Sequence, residues 1–229
     1  MKATLEEKFN IIALLLSNSI LFVLEWIACF LMFVENKWKC FMFYTDIANA
    51  FALVVSGITI VSAIVALAKN KPHIPKWVQV IKFVSTTMLL ITFTIVVAFL
   101  APCFGFNGYL VFLFGGTMLF THTICPLYAL IGSVVLERGS CYHFKITSFV
   151  ILPTFLYGII MLVLNIFKVV VGPYPFFMVY NFNWFITTIW CVGVIIWSYL
   201  MSVLLWVCQT HKKEFRQIEE NPSFASQNK

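Results

Sequence analysis

Six stretches of the chain are nearly free of charge: residues 11–34, 47–68, 77–101, 109–136, 146–171 and 184–208. A helix rises 1.5 Å per residue, so about 20 apolar residues cross a hydrocarbon core about 30 Å thick. Every stretch is that long. The separators are short and polar: ENKWKC, AKNKPHIP, the turn at 102–108, ERGSCYHFK and GPYPFFMVYNFN. None has room for a second folded unit, and no internal repeat is found. The pattern predicts one all-α domain over 1–229, a polytopic bundle of six transmembrane helices, with a disordered tail over 219–229. The first stretch is too long for a signal-peptide core and reads as a retained span.

Composition supports lipid as the solvent. Apolar residues make up 62% of the chain and charged residues 10%, against roughly 25% in a soluble domain. The net charge of +6 comes from basic residues scattered through short loops, not from one patch, so no nucleic-acid partner is expected. Twelve lysines and arginines fall on one side of the spans, and only Lys37, Lys39 and Lys168 fall towards the other. That bias predicts both termini on the cytoplasmic side of a cell membrane. The seven cysteines include no Cys-x-x-Cys pair, and His73, His143 and His211 lie far from His122, so neither a metal nor a cofactor is expected. Cys40 and Cys103 both belong to the sparsely charged side, where a disulfide between them can be considered.

Polar side chains inside spans are costly and usually face the protein interior. The candidates are Glu25, Asp46, Asn49, His122, Asn165 and Lys168. Counted from the basic ends, Glu25 lies at about 26 Å, Asn49 at about 30 Å, His122 at about 22 Å, and Asn165 and Lys168 at about 30 and 34 Å. All fall in the half remote from the basic loops, which predicts a shared polar cavity there and a nearly pure hydrocarbon interior in the other half. Simpler roles compete with this one. Glu25 can pair with Lys168, Asp46 can reach solvent, and Asn49 and Asn165 can link helices by hydrogen bonds. An imidazole such as that of His122 can act as base, proton carrier or ligand near neutral pH.

The run Phe43-Tyr44-Thr45-Asp46-Ile47-Ala48-Asn49 resembles the Phe-x-Thr segment of the androgen-induced-protein/ADTRP family, and also a Tyr-Thr-x-x-x-Asn pattern in its bacterial relatives of unknown function. His122-Thr123-Ile124-Cys125-Pro126 is similar to the family's histidine–proline segment, and Tyr174-Pro175-Phe176 to its Tyr-Pro-Phe. The resemblance implies six spans and an intramembrane hydrolase of fatty acid esters of hydroxy fatty acids, with Thr45 as nucleophile and His122 as base. A threonine hydroxyl needs such a base within hydrogen-bond reach. Asn49, one helical turn below Thr45, is placed to orient the base or to donate to an oxyanion. Tyr174, Asp46, Glu25, Asn165 and Lys168 are supporting candidates. The depth count separates Thr45 from His122 by about 13–14 Å along the membrane normal, a gap that an irregular start to the fourth span at Gly115-Gly116 would shrink.

Three functions remain open on these residues. One is hydrolysis of a lipid or fatty acyl ester drawn from membrane lipids. Another is transport through a relay of Glu25, His122 and Lys168. The third is lipid binding or partner stabilisation without catalysis. No nucleotide loop, Gly-x-Ser-x-Gly elbow or haem motif occurs.

Overall fold

The computed structural model describes residues 4–71, 73–137, 143–171, 173–174, 177–181 and 183–220. Pro175 and Phe176 of the Tyr-Pro-Phe segment lie outside the described residues, as do 221–229 of the expected tail; residues 219–220 end a helix. The described chain is all-α, without a strand, and six of its helices are long and apolar enough to cross a membrane. This is a multi-pass integral membrane protein.

Helix α1 (Leu5–Asn36) starts at a capping box in which the Thr4 hydroxyl accepts from the Glu7 amide and the Glu7 carboxylate accepts from the Thr4 amide. It packs along α2 (Tyr44–Ala68), whose buried face carries Ala48, Ala52, Ser56, Thr59 and Ala63. Small residues at this spacing let two backbones approach closely, the usual basis of helix pairing in lipid. Helix α3 (Lys76–Ile95) is the centre of the bundle, because every residue from Lys82 to Thr92 is buried. A helix enclosed on all sides has no lipid-facing stripe, and this one shows no polar–apolar periodicity over that length.

Beyond α3 the chain departs from the expected pattern. A π-helical stretch, Val96–Leu100, and a 3-10 turn, Ala101–Phe104, lead into the short helix α4 (Gly105–Phe114). The predicted fourth span, 109–136, is therefore two elements. The crossing helix α5 (Gly116–Leu136) begins only after a break at Gly115 and Gly116. Gly116 has φ +47°, and a Cβ on Gly115 would lie 2.5 Å from the Val111 carbonyl oxygen, so the reversal needs glycine at both positions.

Helices α6 (Phe144–Ile166) and α7 (Trp184–Glu220) complete the bundle. They meet near the end bearing Lys69, Lys71 and Lys76, where Ser202 donates to the Thr147 carbonyl at 3.0 Å and Trp206 meets Phe144 edge-on. The same half holds a polar cluster, contrary to the expected hydrocarbon interior. Lys82, one of the twelve basic residues assigned to the cytoplasmic side, is buried 2.6 Å from Glu137, and Asn18 donates to the same carboxylate. The loop carboxylate folds back over the end of the bundle and neutralises a lysine that would otherwise be stranded in apolar surroundings.

Candidate functional site

At the end opposite the basic loops, a cavity of about 1020 Å³ opens among α2, α3, α5, α6 and α7. Its wall is mostly apolar. Thr45, Asp46, His122 and Tyr174 all line it, so the structure brings these four candidates together.

Thr45 lies in the first turn of α2, where backbone amides have no intrahelical acceptor. Phe43 precedes that turn and supplies no capping side chain. The Tyr174 phenol takes this place: it meets the Thr45 hydroxyl and the backbone of Tyr44 and Thr45. Burial pushes its titration up to about 12, the Thr45 contact opposing the shift, so the phenol is neutral at ordinary pH. The connector carrying Tyr174 is tied to α6 by Asn165, which accepts from the Val179 amide and donates to the Val170 carbonyl. Rings of Phe43, Tyr157 and Phe177 surround Tyr44 and Tyr174, and the Tyr157 hydroxyl donates to the Met42 carbonyl at 2.7 Å.

His122 sits in a π-helical stretch of α5, Leu119–Ile124, and is 8% exposed. Its Nδ1 is 2.9 Å from the Phe112 carbonyl oxygen, and the neighbouring Thr123 hydroxyl donates to the Leu113 carbonyl at 2.8 Å. Both acceptors belong to the last turn of α4, whose carbonyls have no intrahelical donor. A carbonyl only accepts, so Nδ1 carries the proton and Nε2 is the basic nitrogen. Reversal at Gly115-Gly116 makes this pairing achievable, since a continuous helix would hold residues ten apart about 15 Å from each other.

Asn49 joins the two halves of the site. Its amide donates to the Thr45 carbonyl at 2.8 Å and to the Thr121 carbonyl at 3.2 Å, linking the first turn of α2 to the helix that carries His122. Both amide hydrogens are held by backbone oxygens, and Asn49 has no place in the cavity lining. Thr45 and His122 face the same space without bonding to each other directly.

The remaining candidates lie elsewhere. Glu25 is fully buried beside Cys125, outside the cavity wall. Lys168 stands over the Tyr180 ring at 4.7 Å, and the Glu25–Lys168 pair, one of the simpler roles considered, is not formed. Asn165 orders the connector rather than facing the cavity. Cys40 is buried and free, and Cys103 is free with its thiol on the Phe99 carbonyl; no disulfide joins them. No metal-ligating cluster occurs among the described residues.

Sequence reasoning missed Tyr157, the α4 carbonyls, and Thr154, which lines the cavity with its hydroxyl 3.0 Å from the Tyr44 phenol. The one available signal was a tyrosine inside the fifth apolar stretch, since a buried phenol usually marks a hydrogen bond. Comparison of the chain with protein-family models, with curated proteins and with solved structures returns no match.

Proposed function

We propose that this protein is an intramembrane hydrolase of lipid acyl esters, with Thr45 as nucleophile and His122 as base. One observation carries the reading: His122, fixed with its Nδ1 proton on Phe112, stands on the wall of the apolar cavity that Thr45 also lines. The Thr45 hydroxyl adds to the ester carbonyl carbon as Nε2 of His122 takes its proton. Charge developing on the carbonyl oxygen is met by the Tyr174 phenol, which stays neutral and able to donate. The carbonyl end of α4 eases the positive charge on the imidazole. Collapse breaks the bond to the alcohol oxygen, which leaves with the proton from His122. Water, deprotonated by the same nitrogen, then attacks the acyl-Thr45 ester; the bond to the Thr45 oxygen breaks, that oxygen takes back the proton from His122, and the acyl chain leaves as a carboxylic acid.

The test is covalent trapping with a long-chain fluorophosphonate. Phosphonylation of Thr45 with loss of fluoride, absent in His122→Ala, is the expected result. Full ester turnover in Thr45→Ala overturns the mechanism.

A second reading, transport of a small molecule or proton, draws on the helix break at Gly115-Gly116, because transporter sites use interrupted helices. Counterflow in liposomes, without ester turnover, would favour it.

A further inference from the structure

Helices α6 and α7 meet at the basic end of the bundle and separate towards the other. The pairs Thr147–Ser202 and Phe144–Trp206 close the lower part. Further along, Phe155, Gly158, Ile159 and Leu162 of α6 line the cavity. That i, i+3, i+4, i+7 series is one complete helical face, turned to open space where packed helices would interdigitate. Opposite stands a matching face of α7 containing Thr187, Cys191 and Val194. These are the two least buried of the six crossing helices, and Phe155, Ile159 and Trp190 are more than a third exposed although they line the cavity. Above the closed part, α7 is held instead to α3, through Trp197 donating to Thr94 at 2.9 Å, and to the π-helical stretch after it, through Phe99 set edge-on to Trp190.

The cavity wall also carries two buried hydroxyls without a hydrogen-bond partner, those of Thr117 and Thr187, 6% and 2% exposed. Buried hydroxyls are rarely left unpaired unless something binds them. An occupant with a long apolar body and a polar oxygen linkage satisfies both kinds of wall.

We propose that the cleft between α6 and α7 is a lateral portal through which the acyl chain of a membrane lipid passes from the bilayer into the cavity, with Gly158 at its sill. The cavity, at about 1020 Å³, is at the upper limit of what a drug-sized ligand takes, and its apolar wall continues to the lipid-facing surface. A chain moving sideways stays in hydrocarbon throughout, whereas access from the end of the bundle would carry each methylene through water at a free-energy cost. The portal deepens the hydrolase reading by assigning its substrate a bilayer origin. Its test reads occupancy rather than turnover, so the two fail separately.

A Cβ placed on Gly158 meets nothing within 4 Å, and the same holds for Gly193, which lies on the exposed side of α7 outside the cavity wall. Both positions therefore have open space where a side chain would begin. The protein is reconstituted in phosphatidylcholine vesicles containing phosphatidylcholine with a diazirine on its acyl chain, then irradiated. Wild type, Gly158→Ala and Gly193→Trp should all carry label on cavity-wall peptides of α5 and α6. Gly158→Trp, and to a smaller extent Gly158→Leu, should lose that label while remaining monodisperse and keeping the label on outer faces. Equal cavity labelling in wild type and a monodisperse Gly158→Trp overturns the portal. So does capture of a second protein copy at the α6–α7 cleft in place of lipid. Should Gly158→Trp not fold, unchanged labelling in Gly158→Leu overturns it as well.

Discussion

The imidazole Nδ1 of His122 lies 2.9 Å from the carbonyl oxygen of Phe112, ten residues earlier in the same chain. This contact joins the end of one helix to the side of the next and fixes the tautomer on which the proposed chemistry depends. If the two side chains act as one unit, Thr45→Ala and His122→Ala should each abolish hydrolysis of a long-chain ester to a similar extent. The double variant should be no worse than either single one. Steady-state turnover in proteoliposomes measures this, and additive losses would count against a shared step.

Asn49 has a different role and should leave a different signature. Asn49→Ala removes the bridge between Thr45 and Thr121 and leaves two carbonyls short of a donor. The cost should be about 1–3 kcal/mol of stability. Turnover should fall without vanishing, because no reacting atom is lost. Thermal unfolding in detergent, read beside kcat, separates this from an oxyanion role, which would depress kcat and leave the melting temperature unchanged.

The buried pair of Lys82 and Glu137 gives a third prediction. Glu137→Gln leaves the lysine charge buried and unpaired and should destabilise by about 3–5 kcal/mol. Lys82→Met combined with Glu137→Leu should recover most of the loss, as apolar replacements of both partners usually do. Denaturant unfolding of the single and double variants tests it; a double variant worse than Glu137→Gln would contradict it.

Tyr174 supplies the pH test. Its titration is raised to about 12 by burial, above the ordinary phenol value near 10. The folded state therefore holds the phenol proton more tightly than the unfolded chain. The resulting stability is fully present below about pH 10 and is lost as pH rises through about 12. Ultraviolet difference titration of wild type against Tyr174→Phe should show one phenol ionising near 12, and ionisation near 10 would mean that the phenol faces water. Tyr174→Phe should also lower kcat more than it raises KM, because the donor acts on charge that develops only in the transition state.

Much of the architecture was legible because hydrophobic runs report directly on the bilayer. Less of the site was. Thr45, Asp46, His122 and Tyr174 could be nominated from residue type and order, and they do share one cavity. The departures have a common cause. Lys82 reads as one more cytoplasmic-side charge until Glu137 is seen folded against it, and Asn49 reads as a free donor until the Thr121 carbonyl is beside it. Pairing across helices leaves no local trace in a run of apolar letters. The pair Gly115-Gly116 was visible as an irregularity, but its result, a short helix laid beside α5, depends on which carbonyls the reversal presents to His122 and Thr123.

The enclosure of α3 bears on how the chain is made. Synthesis delivers this helix before α5, α6 and α7 exist to surround it. At that moment the packing that α5 and α7 later give it is missing, and Lys82 has no counter-ion, since Glu137 has yet to be translated. This span is thus inserted on credit, in a state that only later helices make comfortable. A ribosome stalled after α4 should hold α3 loosely in the translocation machinery, and release of α5 with Glu137 should be the event that commits it to the bilayer.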